Sequence, residues 1–490
     1  MSAEPQLPAS FAKREGVLLT YRADGAAQVT ARHDASWTAL QEVQRILTAG
    51  FYVETVAEQD YAALFETVYG GGESDDITVQ IEDASGLFRP LDGSTSTDIL
   101  ADETEAPVVN LINSLLRQAL RKRASDMHFE PQENGLMVRM RVDGVLQPIL
   151  ERNDVPTAMV ISRLKVMAEL DIAETRLPQD GRIGLRLAER AVDVRVSTIP
   201  SQYGERIVLR ILDKDTGLLS LDAIGLDDAQ KAIIDRLTNC KNGLVLVTGP
   251  TGSGKTTTLY AILDKLNSKG TNILTVEDPV EYDLVGVGQT QVNSQIGMSF
   301  ASALRAVLRQ DPDIVLVGEI RDAETASVAV QAALTGHLVL STLHTNTALG
   351  AITRLRDLGV EPFLLTSTLR GAIAQRLMRL LCPGCKTPVA TPDDVRAVFK
   401  KHQVDVPETV FEAKGCTQCS DTGYAGRTGV YDLIENSAGL RQAIGAEASE
   451  AEMIDQGTLP ADGMFASGLR AVAAGRTTMT ELLRVVSDVT

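Results

Sequence analysis

Between Gly249 and Thr256 the chain reads Gly249-Pro250-Thr251-Gly252-Ser253-Gly254-Lys255-Thr256, a complete G-x-x-x-x-G-K-[ST] phosphate loop. An apolar run, Leu244-Val245-Leu246-Val247, leads in, and a helix-like stretch from Lys255 to Leu266 leads out. A strand-to-helix turn of this kind points several backbone N–H groups at one anion. Gly249, Gly252 and Gly254 then let the main chain curl around a β-phosphate, Lys255 neutralises β- and γ-oxygens, and the Thr256 hydroxyl is a ligand for Mg²⁺. Pro250, Thr251, Ser253 and Thr257 complete the expected nucleotide-binding stretch, and the expected nucleotide is ATP.

Downstream, β-rich apolar runs at 273–276, 314–317 and 338–343 alternate with helix-like stretches at 301–309, 326–334 and 351–358. Alternation of this kind predicts an α/β fold, a parallel sheet with helices on both faces, in which ligands gather at the carboxyl ends of the strands. Three such ends carry chemistry. Asp313-Ile314-Val315-Leu316-Val317-Gly318-Glu319 is an apolar strand ending in a carboxylate, so Glu319 is expected to organise Mg²⁺ or orient an attacking water. Glu277-Asp278-Pro279-Val280-Glu281 ends the 273–276 strand and makes Glu277 and Glu281 competing bases; a solvated loop charge is the alternative for Glu281. Ser341-Thr342-Leu343-His344-Thr345-Asn346 ends the third strand, with His337 at its start, so His344 is expected at the crevice and His337 at the far end.

Four of the five cysteines form Cys382-Pro383-Gly384-Cys385 and Cys416-Thr417-Gln418-Cys419, two C-x-x-C pairs separated by thirty residues. Each turn can present two thiolates to one Zn²⁺, and two turns complete a closed tetrahedron, a structural site. A redox role for Cys382 and Cys385 is the rival, weakened because the second pair would be idle. Cys240 is left over and is expected to be a small buried hydrophobe.

With 490 residues the chain has room for about three or four domains. Its net charge of −18 disfavours duplex DNA and anionic membranes as direct partners, and no nucleic acid is expected. Neither a membrane-length apolar run nor a basic, apolar leader is present in the sequence, so a cytoplasmic protein is expected. The first hundred residues hold the single Trp37, helix-like segments at 40–47 and 61–69, and no chemical motif; they read as a small mixed docking domain. A stretch rich in Asp, Ser, Thr, Gly and Glu follows and reads as a linker. Val108, Leu111, Ile112, Leu115, Leu116, Ala119 and Leu120 then recur at helical spacing, ending in Arg117, Arg121, Lys122 and Arg123. Leu136, Val138, Met140 and Val142 alternate with Arg139 and Arg141 up to the hairpin signal Asp143-Gly144. Strands at 192–196 and 207–212 complete an α+β domain.

Together these boxes resemble the secretion ATPase superfamily that powers type II secretion and type IV pilus assembly, from about residue 105 to the C-terminus. They are the loop 249–256, the aspartate box 275–281, the Walker B run ending Gly318-Glu319-Ile320-Arg321-Asp322, and the histidine box running from Thr335-Gly336-His337 to Asn346. Upstream, Ser125-Asp126-Met127-His128-Phe129-Glu130-Pro131 and Asp193-Val194-Arg195-Val196-Ser197-Thr198 resemble the superfamily's PAS-like domain. The resemblance implies that Arg195 and Arg210 close over a γ-phosphate held by a RecA-like domain, and that Arg305 and Arg309 form a further nucleotide-facing pair. The tetracysteine element disfavours the retraction branch, and the short region before the PAS-like domain favours type II secretion over pilus extension.

The implied organisation is a docking domain (1–82), linker (83–105), PAS-like domain (106–215), RecA-like core (216–381), zinc element (382–425) and C-terminal helical segment (426–490). The implied protein is a homo-hexameric ATP hydrolase using ATP, Mg²⁺ and structural Zn²⁺. Its N-terminal domain would tether it to inner-membrane platform proteins, making it peripherally recruited.

Overall fold

The computed structural model describes the chain from residue 106 onward, except residues 188–189, 214–217, 456–462 and 487–490. Before that it describes residues 7, 12, 15–21, 27–33, 35–36, 39–40, 43–44, 47, 50–58, 60–61, 64–65 and 88–89. Two compact units divide it: one of residues 1–118, 156–164 and 186–188, the other of residues 119–155, 165–185 and 189–490.

In the first unit β1 (Val17–Tyr21) pairs antiparallel with β2 (Ala27–Arg32), which pairs parallel with β3 (Tyr52–Val56). The inward residues Val17, Leu19, Val29 and Ala31 pack with Ala39, Val43 and Leu47 into a small core, so this part is a mixed α/β module. Trp37 lies outside the described residues, and so does the 83–105 linker apart from β4 (Phe88–Arg89), which pairs antiparallel with residues 186–187. The amphipathic stretch after it forms α1 (Ala106–Arg121).

The second unit begins with β5 (Asp126–Gln132), β6 (Gly135–Val142), β7 (Val145–Arg152), α2 (Thr157–Met167), whose first residues belong to the other unit, β8 (Gln179–Leu187), β9 (Arg190–Ser201) and β10 (Gly204–Asp213). Their order is β8-β9-β10-β5-β6-β7, antiparallel from β9 to β7. Period-two alternation divides the sheet cleanly. Met127, Phe129, Val138, Met140, Val196, Ile207 and Leu209 are buried on one face. Register places Asp126, His128, Arg139, Arg141, Arg195 and Arg210 on the other.

After α3 (Asp228–Thr238) come β11 (Gly243–Thr248), α4 (Lys255–Leu266), β12 (Ile273–Glu277), β13 (Gly288–Gln291), α5 (Phe300–Val307), β14 (Ile314–Val317), α6 (Ala323–Leu334) and β15 (Leu338–Leu343). Then follow α7 (Gly350–Asp357), α8 (Pro362–Thr368), β16 (Leu369–Leu381), β17 (Thr387–Ala390), α9 (Asp393–Lys401), β18 (Thr409–Glu412) and β19 (Tyr424–Glu435). The sheet runs β13-β12-β14-β15-β11-β16-β19, parallel as far as β16. Because helices cover both faces, the central strands need no polar alternation. Leu244 and Leu246 face one core with Val315, Val317 and Val339, while Val245 and Val247 face the other with Ile314, Leu316 and Leu340.

Two expectations need correction. The segment 426–490 is not wholly helical: its first residues lie in β19, antiparallel to β16, because Gly429-Val430-Tyr431-Asp432-Leu433-Ile434 alternates as an edge-strand sequence returning from the cysteine element. Helices α10 (Ala438–Gly445), α11 (Glu450–Asp455), α12 (Met464–Ala473) and α13 (Met479–Val486) follow. Cys240 is only partly buried, because it sits just past the end of α3, with its Sγ 3.3 Å from the Arg236 carbonyl. Among the described residues no helix is long and apolar enough to cross a membrane.

Candidate functional site

The phosphate loop leaves the carboxyl end of β11, in the middle of the sheet, and enters α4 through Gly254. Two glycines there have no substitute. Gly249 has φ 145° and a Cβ on it would lie 2.4 Å from the Gln375 carbonyl oxygen; Gly254, the residue before the helix, has φ 87° and its Cβ would lie 2.8 Å from Gln375 Nε2. Lys255 Nζ donates to the Gly249 and Pro250 carbonyls at 2.8 and 3.0 Å. Burial pulls its ammonium below the usual lysine range, opposed by the Glu319 carboxylate. Thr256 and Thr257 are half-buried at the start of α4, and Thr251 and Gly252 are exposed at the loop's tip.

Glu319 follows β14 by two residues, with its side chain 13% exposed. One carboxylate oxygen takes Arg321 and the other lies 3.4 Å from His344 Nε2, just beyond β15. Lys255, Glu319 and His344 therefore converge at the carboxyl ends of β11, β14 and β15. His337 stands at the opposite end of β15, with Nδ1 3.0 Å from the Ala332 carbonyl. Thr248 stitches the strand ends, accepting from the Thr345 N–H at 2.9 Å.

The other two acidic candidates occupy different environments. Glu277 is buried and accepts from Tyr260 Oη, from Thr275 Oγ1 at 2.5 Å and from Gln289 Nε2 at 3.1 Å. Burial, reinforced by Glu277, raises the Tyr260 hydroxyl far above its usual range, so the phenol stays a donor. Glu281 is half-buried and faces Arg195 Nη2 at 3.4 Å. Arg195 and Arg210 are direct neighbours across β9 and β10, and Arg210 Nε donates to Asp126 at 3.1 Å. A cleft of about 550 Å³ opens beside them, lined by Asp180, Arg182, Arg195, Arg210, Asp278 and Gln291 among others. Arg305 and Arg309 stand apart at the exposed end of α5, where Arg305 pairs with Glu324 at 2.7 Å and Arg309 donates to the Arg305 carbonyl.

The four paired cysteines meet. Cys382–Cys416, Cys385–Cys419 and Cys416–Cys419 Sγ separations are 3.9, 3.8 and 3.7 Å, and all four sulfurs lie within 4.8 Å of one another. A tetrahedron with metal–sulfur arms of about 2.3 Å has edges of about 3.8 Å, so the cluster fits one metal ion. Cys419 Sγ also accepts the N–H groups of Cys416 and Gly423, both at 3.2 Å, the donor pattern expected around a thiolate.

Sequence reasoning missed Gln375, Tyr260 and Gln289, which hold the loop and Glu277. The available signal was a polar residue inside a buried run, as in Ala372-Ile373-Ala374-Gln375.

Residues 101–484 match the family model described as type II/IV secretion system protein, and residues 6–69 match the model of the first N-terminal domain of GSPII protein E. The chain is 46% identical over 492 residues to type II secretion system protein E of Aeromonas hydrophila, covering 99% of this chain and 97% of the relative. It is likewise 46% identical over 490 residues to type II secretion system ATPase E of Vibrio cholerae, covering 99% and 97%. Its fold is similar to a crystal structure of the pilus retraction motor PilT with bound ADP, at 26% identity and a TM-score of 0.50 over 76% of this chain and 96% of that one.

Proposed function

This chain belongs to the type II/IV secretion system protein family, in its type II secretion protein E branch, and from that membership we propose that it hydrolyses ATP to drive assembly of a pseudopilus and protein export. The observation that carries the reading is the convergence of Lys255, Glu319 and His344 beside the glycine loop. Lys255 and the loop N–H groups hold the phosphates; Glu319, little exposed and steadied by Arg321, orients the water that attacks the γ-phosphate. His344, against Glu319, reports the phosphate state to the end of β15. Mg²⁺, with the Thr256 hydroxyl among its ligands, would supply charge neutralisation on the phosphates. Glu277, already engaged by three donors, braces the crevice rather than taking a proton.

Arg195 and Arg210 complete the charge stabilisation when the sheet that carries them closes on nucleotide, and Glu281 holds Arg195 until then. Arg305 and Arg309 contribute to nucleotide binding only if α5 or a second copy brings them in. The working form is a homo-hexamer, recruited to inner-membrane platform proteins through the module at 1–82, with Zn²⁺ in the element at 382–425. The charge of −18 supports a protein rather than nucleic-acid partner.

Glu319→Gln tests the assignment. The variant is expected to bind ATP as the parent does and to release phosphate at least about a hundredfold more slowly. Near-parental release by Glu319→Gln, with loss in Glu277→Gln or Glu281→Gln, would move the catalytic carboxylate to the aspartate box.

A further inference from the structure

A buried glutamine on β16 grips the phosphate loop at both of its ends. The Gln375 carbonyl oxygen closes against Gly249, where the loop begins, and its side-chain amide closes against Gly254, where the loop becomes α4. Within α4, one turn on, the Thr258 hydroxyl donates to Gln375 Oε1 at 2.8 Å. Thr258 has no exposed surface and Gln375 is 2% exposed, so neither can exchange this bond for one with water. That bond fixes which way the amide lies, and it leaves Nε2 turned to Gly254. Gln375 is itself held from behind. It stands opposite Tyr431 in the β16–β19 ladder, and the buried Tyr431 hydroxyl donates to the Ile224 carbonyl at 3.0 Å. Its neighbour Ala374 pairs with Thr248, the last residue of β11 before the loop.

We propose that Gln375 is a positioning residue for triphosphate binding, acting through Thr258 to hold the Gly254 end of the loop where its N–H groups meet the β- and γ-phosphates. The proposal rests on the ATPase reading above. A loop whose glycines make it pliable needs an external brace, since the same absent Cβ atoms that admit the phosphate leave the main chain free to shift. Removing the brace leaves the fold of the sheet intact, because Gln375 pairs through its backbone, but it releases the loop from the one side chain that spans it. The loss therefore falls on phosphate affinity and not on the chemical step, which Glu319 carries.

The test uses the full-length protein, mant-ATP binding and steady-state phosphate release in Thr258→Val, Thr258→Ser, Gln375→Met and the Thr258→Val/Gln375→Met pair. Thr258→Val keeps the volume and loses the donor; Thr258→Ser keeps the donor. The expected result is an approximately tenfold rise in mant-ATP Kd and in KM for Thr258→Val and Gln375→Met, with kcat within about twofold of the parent. Thr258→Ser binds as the parent does, and the double variant is no weaker than either single one because both remove the same bond. Parental affinity in Thr258→Val, equal losses in Thr258→Val and Thr258→Ser, or additive losses of about a hundredfold in the pair would overturn the proposal. If Gln375→Met does not fold, the valine and serine variants at 258 decide alone. A parent protein that binds no mant-ATP would overturn the ATPase reading and this inference with it; a parent that binds, with variants unchanged, overturns this one only.

Discussion

Lys165 has no exposed surface, and its Nζ lies 2.8 and 2.9 Å from the two oxygens of Glu205, with the Glu174 carbonyl as a third acceptor at 2.8 Å. A pair this deep contributes less than its Coulomb energy suggests, because both ions lost their hydration; breaking it is another matter, since the remaining charge stays buried. Lys165→Met is therefore expected to destabilise the sheet-bearing part by about 3–5 kcal/mol, while Lys165→Met combined with Glu205→Leu recovers most of that loss. Denaturant midpoints of the three proteins check this, and equal midpoints for the single and double variants would contradict it. The same residue-scale logic separates the three acidic candidates for catalysis. In the sequence they are equivalent, each a carboxylate at or just beyond a strand end. Glu277 carries three donors, Glu281 faces an arginine of another sheet, and Glu319 sits beside Lys255. Only tertiary contacts distinguish them.

At the scale of elements, α13 is attached to β16 through one carboxylate. Glu481 is buried and takes Arg379 through the backbone N–H at 3.0 Å and through the guanidinium at 2.7 Å, while Arg484 donates to both of its oxygens. Burial alone would raise its pKa, but the bonds from Arg484 and Arg379 outweigh that and hold the carboxyl down at about 2, against an ordinary 4.5. A depressed acid stabilises the fold above its unfolded pKa and loses that contribution as pH falls through the folded value. The shift corresponds to about 3 kcal/mol. Glu481→Gln should accordingly be less stable than the parent by about that amount at neutral pH, with the gap narrowing below about pH 4.5 and closing near pH 2. Thermal unfolding across pH 2–7 measures it, and a gap independent of pH would show that packing, not charge, joins the two elements. Elements of the motor sheet were legible because fully buried parallel strands appear as apolar runs and helices as 3.6-period stretches. The strand β19 was not, because its partner β16 is separated from it by the cysteine element, and antiparallel pairing over such a distance leaves no local pattern. The brace at Gln375 was hidden for the same reason.

For the whole molecule, the cysteine cluster and the phosphate loop are ends of one hairpin. From Gln375, β16 continues to Leu381 and delivers Cys382; from Cys419 the chain returns through Tyr424 into β19 and reaches Tyr431, opposite Gln375. Between those strands the 382–425 element has a two-stranded sheet, β17 with β18, and few fully buried apolar side chains, among them Phe399 and Val410. Metal binding to four thiolates supplies folding free energy that so small a core cannot, on the order of 10 kcal/mol in minimal zinc modules. The prediction is one Zn²⁺ per chain by elemental analysis, and a melting transition of the element that shifts downward when the metal is stripped with a chelator. Since the free end of the hairpin would then fray toward Tyr424, the ladder that backs Gln375 weakens, and mant-ATP affinity should fall with it, by less than in Gln375→Met itself. Restoring Zn²⁺ should restore both. Metal-free protein purified without chelator, or replacement of all four cysteines by serine with unchanged melting and unchanged nucleotide affinity, would show that the cluster neither holds a metal nor supports the motor sheet.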